Sequence, residues 1–458
     1  MVMDILDSYV ICYPQITHPL VSEKEDLKRK YISLLKFYAD KYSPDDQSVL
    51  YRIGALSNTL FGDKDASDAF SIYEDYNNIV GTIMKTRFTL FRLFSYRYLF
   101  QFDCIFVLAA DNEEIGDKIC HELQATVNKR YHKALEEMKE KMYSGDNDFA
   151  YKKLVSEEMV EAWNAARCYL QSQNRNITFT ATMSAGKSTL INAIMGKELS
   201  YAKKAACTAS VMAFTTSPSK SNFLNILCKN EVNTMRTEQE VRTFTKGLET
   251  PCSICGYFLS PLSRKKATLI DTPGVNSSQN PKHKKITRNE LTGDNTDVLV
   301  YVIPVENYGS EGDFEHLTYI KKKVQYSSIL FVVNMIDSCD LEDDSVPEIV
   351  SNIKEHLESI GFENPMVCPM SAKAGMLIKQ ALYGTSLSEN DRKACKTYVG
   401  IFQDDKLALA AFYPEVQKNV ATNDISWLQT DMGTVWHAYI NTGLPGFETL
   451  LYTITKEE

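Results

Sequence analysis

The sequence predicts two architectures in one chain of 458 residues: an all-α N-terminal part, then an α/β domain with a doubly wound, mainly parallel sheet. Three observations predict it. Up to about residue 172 the apolar residues recur at helical spacing. From about residue 175 short Val/Ile/Leu runs of strand length alternate with helical patterns, as strands buried on both faces do. The first of those runs, NITFT, leads through the small-residue stretch ATMSAGKST (181–189) into the helical pattern STLINAIMGKEL. The expected division is residues 1–172 helical and 173–458 α/β, with an insert at about 376–441 that adds helices beside the sheet.

Each N-terminal element has a local reason. In 21–42, Leu27, Tyr31, Leu34, Leu35 and Tyr38 share one helical face. Ser43-Pro44-Asp45-Asp46 reads as the next helix start, with Ser43 as the cap. Residues 69–110 are aromatic-rich and predict two packed helices. Within them Arg87, Arg92, Arg97 and Asp103 interrupt 87–110, so it falls short of the roughly 20 apolar residues that span a bilayer and reads as buried helix. Residues 113–143 and 151–172 predict long, charged helices joined by the turn SGDND (144–148).

Bulk properties narrow the function classes. Hydrophobic residues make up 44% and charged residues 24%, enough to bury a core. The net charge of −9 excludes a dedicated nucleic-acid scaffold, so no nucleic-acid partner is expected. Eleven cysteines without a framework, and an opening MVMDILDSYV that lacks the basic lead-in of a secretory signal, predict reduced thiols and a cytoplasmic location.

The α/β part is read from NITFTAT, ASVMAFTT, KATLIDTPG, DVLVYVIP, SSILFVVNMID and PMVCPMSA as strands, with TGLPGFETLLYTITKE as a closing helix. Four of these runs end in residues that carry chemistry. ATMSAGKS fits the phosphate-loop pattern with Ala181 in the first, usually glycine, position. Small residues let the backbone N–H groups of Met183, Ser184, Ala185, Gly186, Lys187, Ser188 and Thr189 turn onto phosphate oxygens at a helix N-terminus. Lys187 is expected to reach the β- and γ-phosphates and Ser188 to ligate Mg²⁺. Asp271, heading Asp271-Thr272-Pro273-Gly274, is placed to hold Mg²⁺ through water, and the Gly274 N–H to bond the γ-phosphate.

Asn334-Met335-Ile336-Asp337 offers a carboxylate to the paired donors of a guanine edge, which adenine lacks; it therefore argues for GTP over ATP. Lysine usually stands second, and the Met335 stem can give the same packing over the base. Ser371-Ala372-Lys373 supplies backbone contacts to the base oxygen. Thr208, 21 residues after Lys187, is placed to ligate Mg²⁺ and report the γ-phosphate by ordering its loop.

Together these motifs resemble the GTPases, and SAGKS with Thr208 and DTPG resembles the dynamin superfamily, especially bacterial dynamin-like proteins. The resemblance covers about 175–375 and, less closely, the final helix. It implies a P-loop GTPase domain at the end of the chain and a stalk-like helical part before it. It also implies a role for Ser184, Lys187, Thr208 and Gly274 in hydrolysis. Ser184 would help position a monovalent cation, Na⁺ or K⁺, and the bridging oxygen. The partners implied are a second copy, through nucleotide-dependent G-domain pairing, or a second dynamin-like chain. A peripheral contact with the inner face of a membrane, and work in membrane remodelling or in stress or phage response, follow from the same resemblance.

Val275 stands where small GTPases place a catalytic glutamine. With Met335 it keeps open an alternative, a nucleotide-gated scaffold with little hydrolysis; a third reading is an ATPase. Other patterns carry less. Cys252-x-x-Cys255, in an expected hairpin, lacks the partner ligands of a zinc site. Asp111, Glu113, Gly116 and Glu122 partly match a calcium loop, but Ile115 fills a ligand position. The basic PKHKKITR (281–288) reads as a solvated switch loop.

Overall fold

The protein is described here by a computed structural model. It describes residues 18–62, 95–146, 154–200, 210–228, 231–246, 248, 250–275, 281–293, 296–339, 345–384, 387–404, 407–417, 423 and 425–455.

In the helical part, α1 (Glu25–Tyr42) buries the face read from its spacing: Leu27, Tyr31, Leu34, Leu35 and Tyr38. The cap of α2 (Gln47–Phe61) is Asp46, not Ser43 as expected. Its carboxylate accepts from Ser48 N–H at 2.9 Å and Val49 N–H at 3.3 Å. A charged acceptor gains from the helix dipole where a hydroxyl gains less, and Ser43 instead closes α1 by donating its N–H to the Ala39 carbonyl. Next, α3 (Arg97–Asp103) runs into a π-helical turn, Cys104–Leu108, and residues 98–110 are all buried. From Tyr98 on the aromatic stretch is core; residues 69–94, and with them the expectation of two packed helices over 69–110, lie outside the described residues.

The single helix expected over 113–143 is two, α4 (Glu113–Thr126) and α5 (His132–Ser144). The break falls at β-branched Val127 and at Asn128, whose side chain accepts from Arg130 N–H and caps a short 3-10 turn instead of continuing the helix. Gly145, in the left-handed region at φ 80°, ends α5. The last helix, α6 (Glu157–Gln171), starts at the Ser156 cap and buries Trp163, whose indole N–H donates to the Met142 carbonyl at 2.8 Å.

The α/β part continues with β1 (Arg175–Ala181), α7 (Lys187–Met195), β2 (Met212–Thr216), β3 (Leu224–Cys228), β4 (Glu231–Arg236), α8 (Glu238–Thr245), β5 (Cys252–Gly256), β6 (Ala267–Asp271) and α9 (Pro281–Leu291). It ends with β7 (Val298–Pro304), α10 (Glu311–Lys323), β8 (Ser328–Asn334), α11 (Val346–Ile360), β9 (Met366–Pro369), α12 (Ala372–Tyr383), α13 (Glu389–Phe402), α14 (Met432–Asn441) and α15 (Leu444–Ile454). Among the described residues the strands form one sheet, ordered β4-β3-β5-β2-β6-β1-β7-β8-β9.

Strand β1 lies between β6 and β7 and is parallel to both; β7, β8 and β9 continue in parallel. The other edge is mixed: β2 is parallel to β5, while β2–β6, β3–β5 and β3–β4 are antiparallel. Every residue of β7 is buried, which explains its unbroken apolar run. Cys252 and Cys255 lie in β5, inside the sheet between β3 and β2, and not in a hairpin. Helix α12 runs across residue 376, where the insert was expected to begin.

The two parts touch at the mixed edge. The Tyr169 hydroxyl of α6 donates to the Thr216 carbonyl of β2 at 2.8 Å, and the Asn225 amide of β3 donates to the Tyr51 hydroxyl at 3.2 Å. Among the described residues no helix is long and apolar enough to cross a membrane.

Candidate nucleotide-binding site

Strand β1 ends at Ala181, fully buried in the core. Its carbonyl accepts from Val275 N–H at 3.1 Å, tying the loop to the chain after β6. The turn then uses two left-handed residues, Ser184 (φ 65°) and Gly186 (φ 82°), before α7 begins at Lys187. A Cβ on Gly186 would lie 2.3 Å from the Asn334 Nδ2, so both backbone angle and space demand glycine there. Met183 and Ser184 are exposed at the rim, with Met183 packed beside Gly274; Thr189 is half-buried on the first turn of α7.

Asp271, at the end of β6, is shielded completely from solvent. The Lys187 ammonium lies against its Oδ1, while the hydroxyls of Ser188 (3.0 Å) and Ser200 donate to its Oδ2. Burial pulls Lys187 down to about 7. The adjoining carboxylate opposes that pull, and an arriving triphosphate would oppose it further. A buried carboxylate beside a serine hydroxyl is a hard, all-oxygen donor set, which suits Mg²⁺ and not a thiophilic metal. The residues therefore fit the ion that the motifs imply. Thr208, the other expected ligand, lies outside the described residues.

The segment after Gly274 corrects one expectation. PKHKKITR is helical, the start of α9, and not a solvated loop. His283 and Thr287, one turn apart, face inward; the Thr287 hydroxyl donates to the Pro273 carbonyl at 2.6 Å. Lys284 and Arg288 both reach Glu315 of α10, at 2.6 and 3.4 Å, so the basic charges are partly neutralised locally.

On the base side, Asn334 joins two loops. Its amide donates to the Ala185 carbonyl at 3.1 Å and its oxygen accepts from Ala372 N–H at 3.0 Å. Met335 is left-handed (φ 68°) with its methyl end towards Gly186. Asp337 follows, half-buried, in a 3-10 turn. Ser371 caps α12 through Ala374 N–H at 3.4 Å, and Lys373 sits half-exposed on its first turn. The Tyr398 phenol of α13 is raised by burial and by the Asp337 charge, so the insert comes up to the base-side acid. The four described motifs thus meet at the ends of β1, β6, β8 and β9.

Sequence reasoning missed the supports. Lys379 of α12 is buried beneath α7, donating to the Ala193 (2.6 Å) and Ile194 (3.1 Å) carbonyls and to Glu448 of α15 (2.7 Å). Tyr301 donates to Asp313 at 2.7 Å behind the loop, and Thr180 of β1 bonds His316 at 2.9 Å. None belongs to a recognisable motif; their helical spacing alone reads as core. Elsewhere, Asp111 pairs with Arg52 (3.6 Å) and Glu122 with Lys41 (2.7 Å), and α4 occupies the partial calcium pattern. Among the described residues no cluster of His, Cys, Asp or Glu could by itself hold a metal.

Residues 177–336 match the model of the dynamin family. The chain is 27% identical over 111 residues to sulfate adenylyltransferase subunit 1 of Bacteroides thetaiotaomicron, covering 24% of this chain and 21% of that protein. It is 25% identical over 153 residues to elongation factor 1-alpha 2 of Euplotes crassus, covering 31% of each. The chain thus matches a third or less of the length of these curated relatives. Among solved structures it is similar to an oligomerised bacterial dynamin pair described in the sensing and tethering of membranes (15% identity, TM-score 0.37, 85% of this chain and 70% of that one). Another is Aquifex aeolicus Era bound to GDP and AlF4− (15% identity, TM-score 0.28, 44% and 52%). The phosphate loop, DTPG and base-side Asn334 thus come together on a mainly parallel sheet, within the stretch of the chain, residues 177–336, that matches the dynamin family.

Proposed function

We propose that this protein binds GTP with Mg²⁺ and hydrolyses it to GDP and phosphate, coupling nucleotide state to its helical part. The observation that carries this reading is the cluster on Asp271: a lysine and a serine from the loop share one buried carboxylate at the end of β6. With nucleotide bound, Lys187 would reach the β- and γ-phosphate oxygens, and Ser188 and Asp271 would hold the Mg²⁺, Asp271 through water. The backbone N–H groups from Met183 to Thr189 cradle the phosphates, and the Gly274 N–H bonds the γ-phosphate. Mg²⁺ supplies charge neutralisation on the phosphate oxygens. Water attacks the γ-phosphorus and the bond to the β–γ bridging oxygen breaks, releasing GDP. Asp337, with the Ser371, Ala372 and Lys373 backbone and the Asn334 tie, selects guanine.

Val275 is fully buried with its N–H on the Ala181 carbonyl, so it does not hold the attacking water. Ser184 and Thr208, a Na⁺ or K⁺ ion, and pairing with a second G domain or a second dynamin-like chain are proposed to complete the site. The coupling route is the α6–β2 contact, since β2 follows the segment that carries Thr208. A cytoplasmic protein peripheral to a membrane, acting in its remodelling or in a stress or phage response, is consistent with this reading.

The test is guanine-nucleotide binding by calorimetry and phosphate release across protein concentrations in Na⁺ and K⁺. GTP should bind in preference to ATP, Lys187→Ala should abolish retention, and turnover per molecule should rise with concentration. Equal retention by Lys187→Ala would overturn the site. Binding without phosphate release under every condition would leave the second reading, a nucleotide-gated scaffold, which the burial of Val275 favours.

A further inference from the structure

Asp271 has three described donors, and the proposed mechanism calls two of them away: Lys187 to phosphate and Ser188 to the metal. The third, Ser200, has no such duty. It is 4% exposed, and its hydroxyl donates to the Oδ2 of Asp271. It is also held in place from the phosphate-loop helix. The Asn192 side-chain oxygen accepts from Leu199 N–H (3.0 Å) and Ser200 N–H (2.8 Å), and its amide donates to the Ser200 carbonyl (2.7 Å). Asn192 sits on α7, the helix that carries Lys187 and Ser188.

From this arrangement we infer that Ser200 is a positioning residue for the metal: it orients the Asp271 carboxylate once the loop side chains have left it. The inference rests on the proposed GTP·Mg²⁺ reading. It differs from a purely structural role in what it makes of Ser200. A serine that only satisfied a buried oxygen would affect the empty protein, where Lys187 and Ser188 already share the carboxylate. A serine that orients it matters most when they are engaged elsewhere.

The experiment uses the full chain and a fluorescent GDP analogue, titrated with Mg²⁺ at fixed nucleotide and, separately, titrated with nucleotide in EDTA. Ser200→Ala should raise the half-saturating Mg²⁺ about 10- to 100-fold, the usual range when an outer partner of a metal-holding group is removed, while leaving affinity in EDTA unchanged. Ser200→Thr, which keeps the hydroxyl, should restore the wild-type Mg²⁺ midpoint. An unmoved midpoint in Ser200→Ala, beside normal wild-type binding, overturns this inference alone. So does equal weakening with and without Mg²⁺ accompanied by a lower melting temperature, the mark of a structural role. A wild-type protein that binds no guanine nucleotide overturns the underlying reading, and this inference with it.

Discussion

Two carboxylates, Asp103 in the helical part and Asp271 in the α/β part, are both completely buried and both collect hydrogen-bond donors. Asp103 accepts from Tyr31 and pairs with His18 Nε2 at 3.2 Å. His18 Nδ1 accepts from Leu20 N–H at 3.2 Å, which puts the ring proton on Nε2, and Tyr31 packs edge-on against Phe100 with centroids 5.0 Å apart. The described partners Tyr31 and His18 are rigid rings, both buried in the core around them. Asp271 instead holds the long Lys187 side chain and sits beside a loop whose Met183 and Ser184 face solvent. Burial and donors alone do not mark a functional acid. Partners that have somewhere else to go, next to an exposed loop, do.

The sharpest break of this comparison is at Asp271. Asp271→Asn should lower GTP turnover on the order of 100-fold by removing metal-linked charge stabilisation, measured as phosphate release in a Mg²⁺ series. Its effect on the nucleotide-free protein in urea melts should be smaller than that of changing Asp103, because the asparagine oxygen can still accept from the Ser188 or Ser200 hydroxyl. Asp103→Ala should do the reverse. It strands a ring N–H and a phenol in the core, costing about 3 kcal/mol in the same melts, with guanine-nucleotide affinity unchanged. Matching effects of the two variants on either readout would erase the distinction.

His316 sharpens the comparison through pH. Burial, followed by the charges of Arg288 and Lys284, lowers it from 6.5 to about 3. Between those values the unfolded chain binds a proton that the native chain refuses. Stability therefore falls as pH drops through 6.5 towards 3, by up to about 1.4 kcal/mol per pH unit from this group, and its full contribution is present above 6.5. His316→Gln should flatten that slope in urea melts run at several pH values. The smallest effect is expected at the contact between the two regions. Tyr169→Phe removes one hydrogen bond to Thr216 and should cost about 1 kcal/mol, while weakening any dependence of helical-part hydrogen exchange on bound nucleotide.

Much of the α/β order was legible because β1, β2 and β6 to β9 are apolar runs and their loop residues are chemically distinctive. The strands β3 and β4 were not: LNILC and EVNTMR are short or polar and take their meaning from the sheet edge they extend. Helix α9 was hidden by its charges, since pairing of Lys284 and Arg288 with Glu315 is visible only in three dimensions. Asp46 took the cap from Ser43 through charge, a difference that composition does not rank. At the site the motif residues were readable, whereas Ser200 and Asn192 sit at no recognised spacing and act through each other. The Thr208 expectation lies outside the described residues.

Lys379 gives the far end of the chain a mechanical stake in the nucleotide pocket. Its ammonium sits on the carbonyl end of α7, the helix that begins at Lys187, and its counter-charge, Glu448, belongs to α15. Tugging on that closing helix would pull on the underside of the cradle. A single submerged ion pair thus ties the closing helix to the far end of α7.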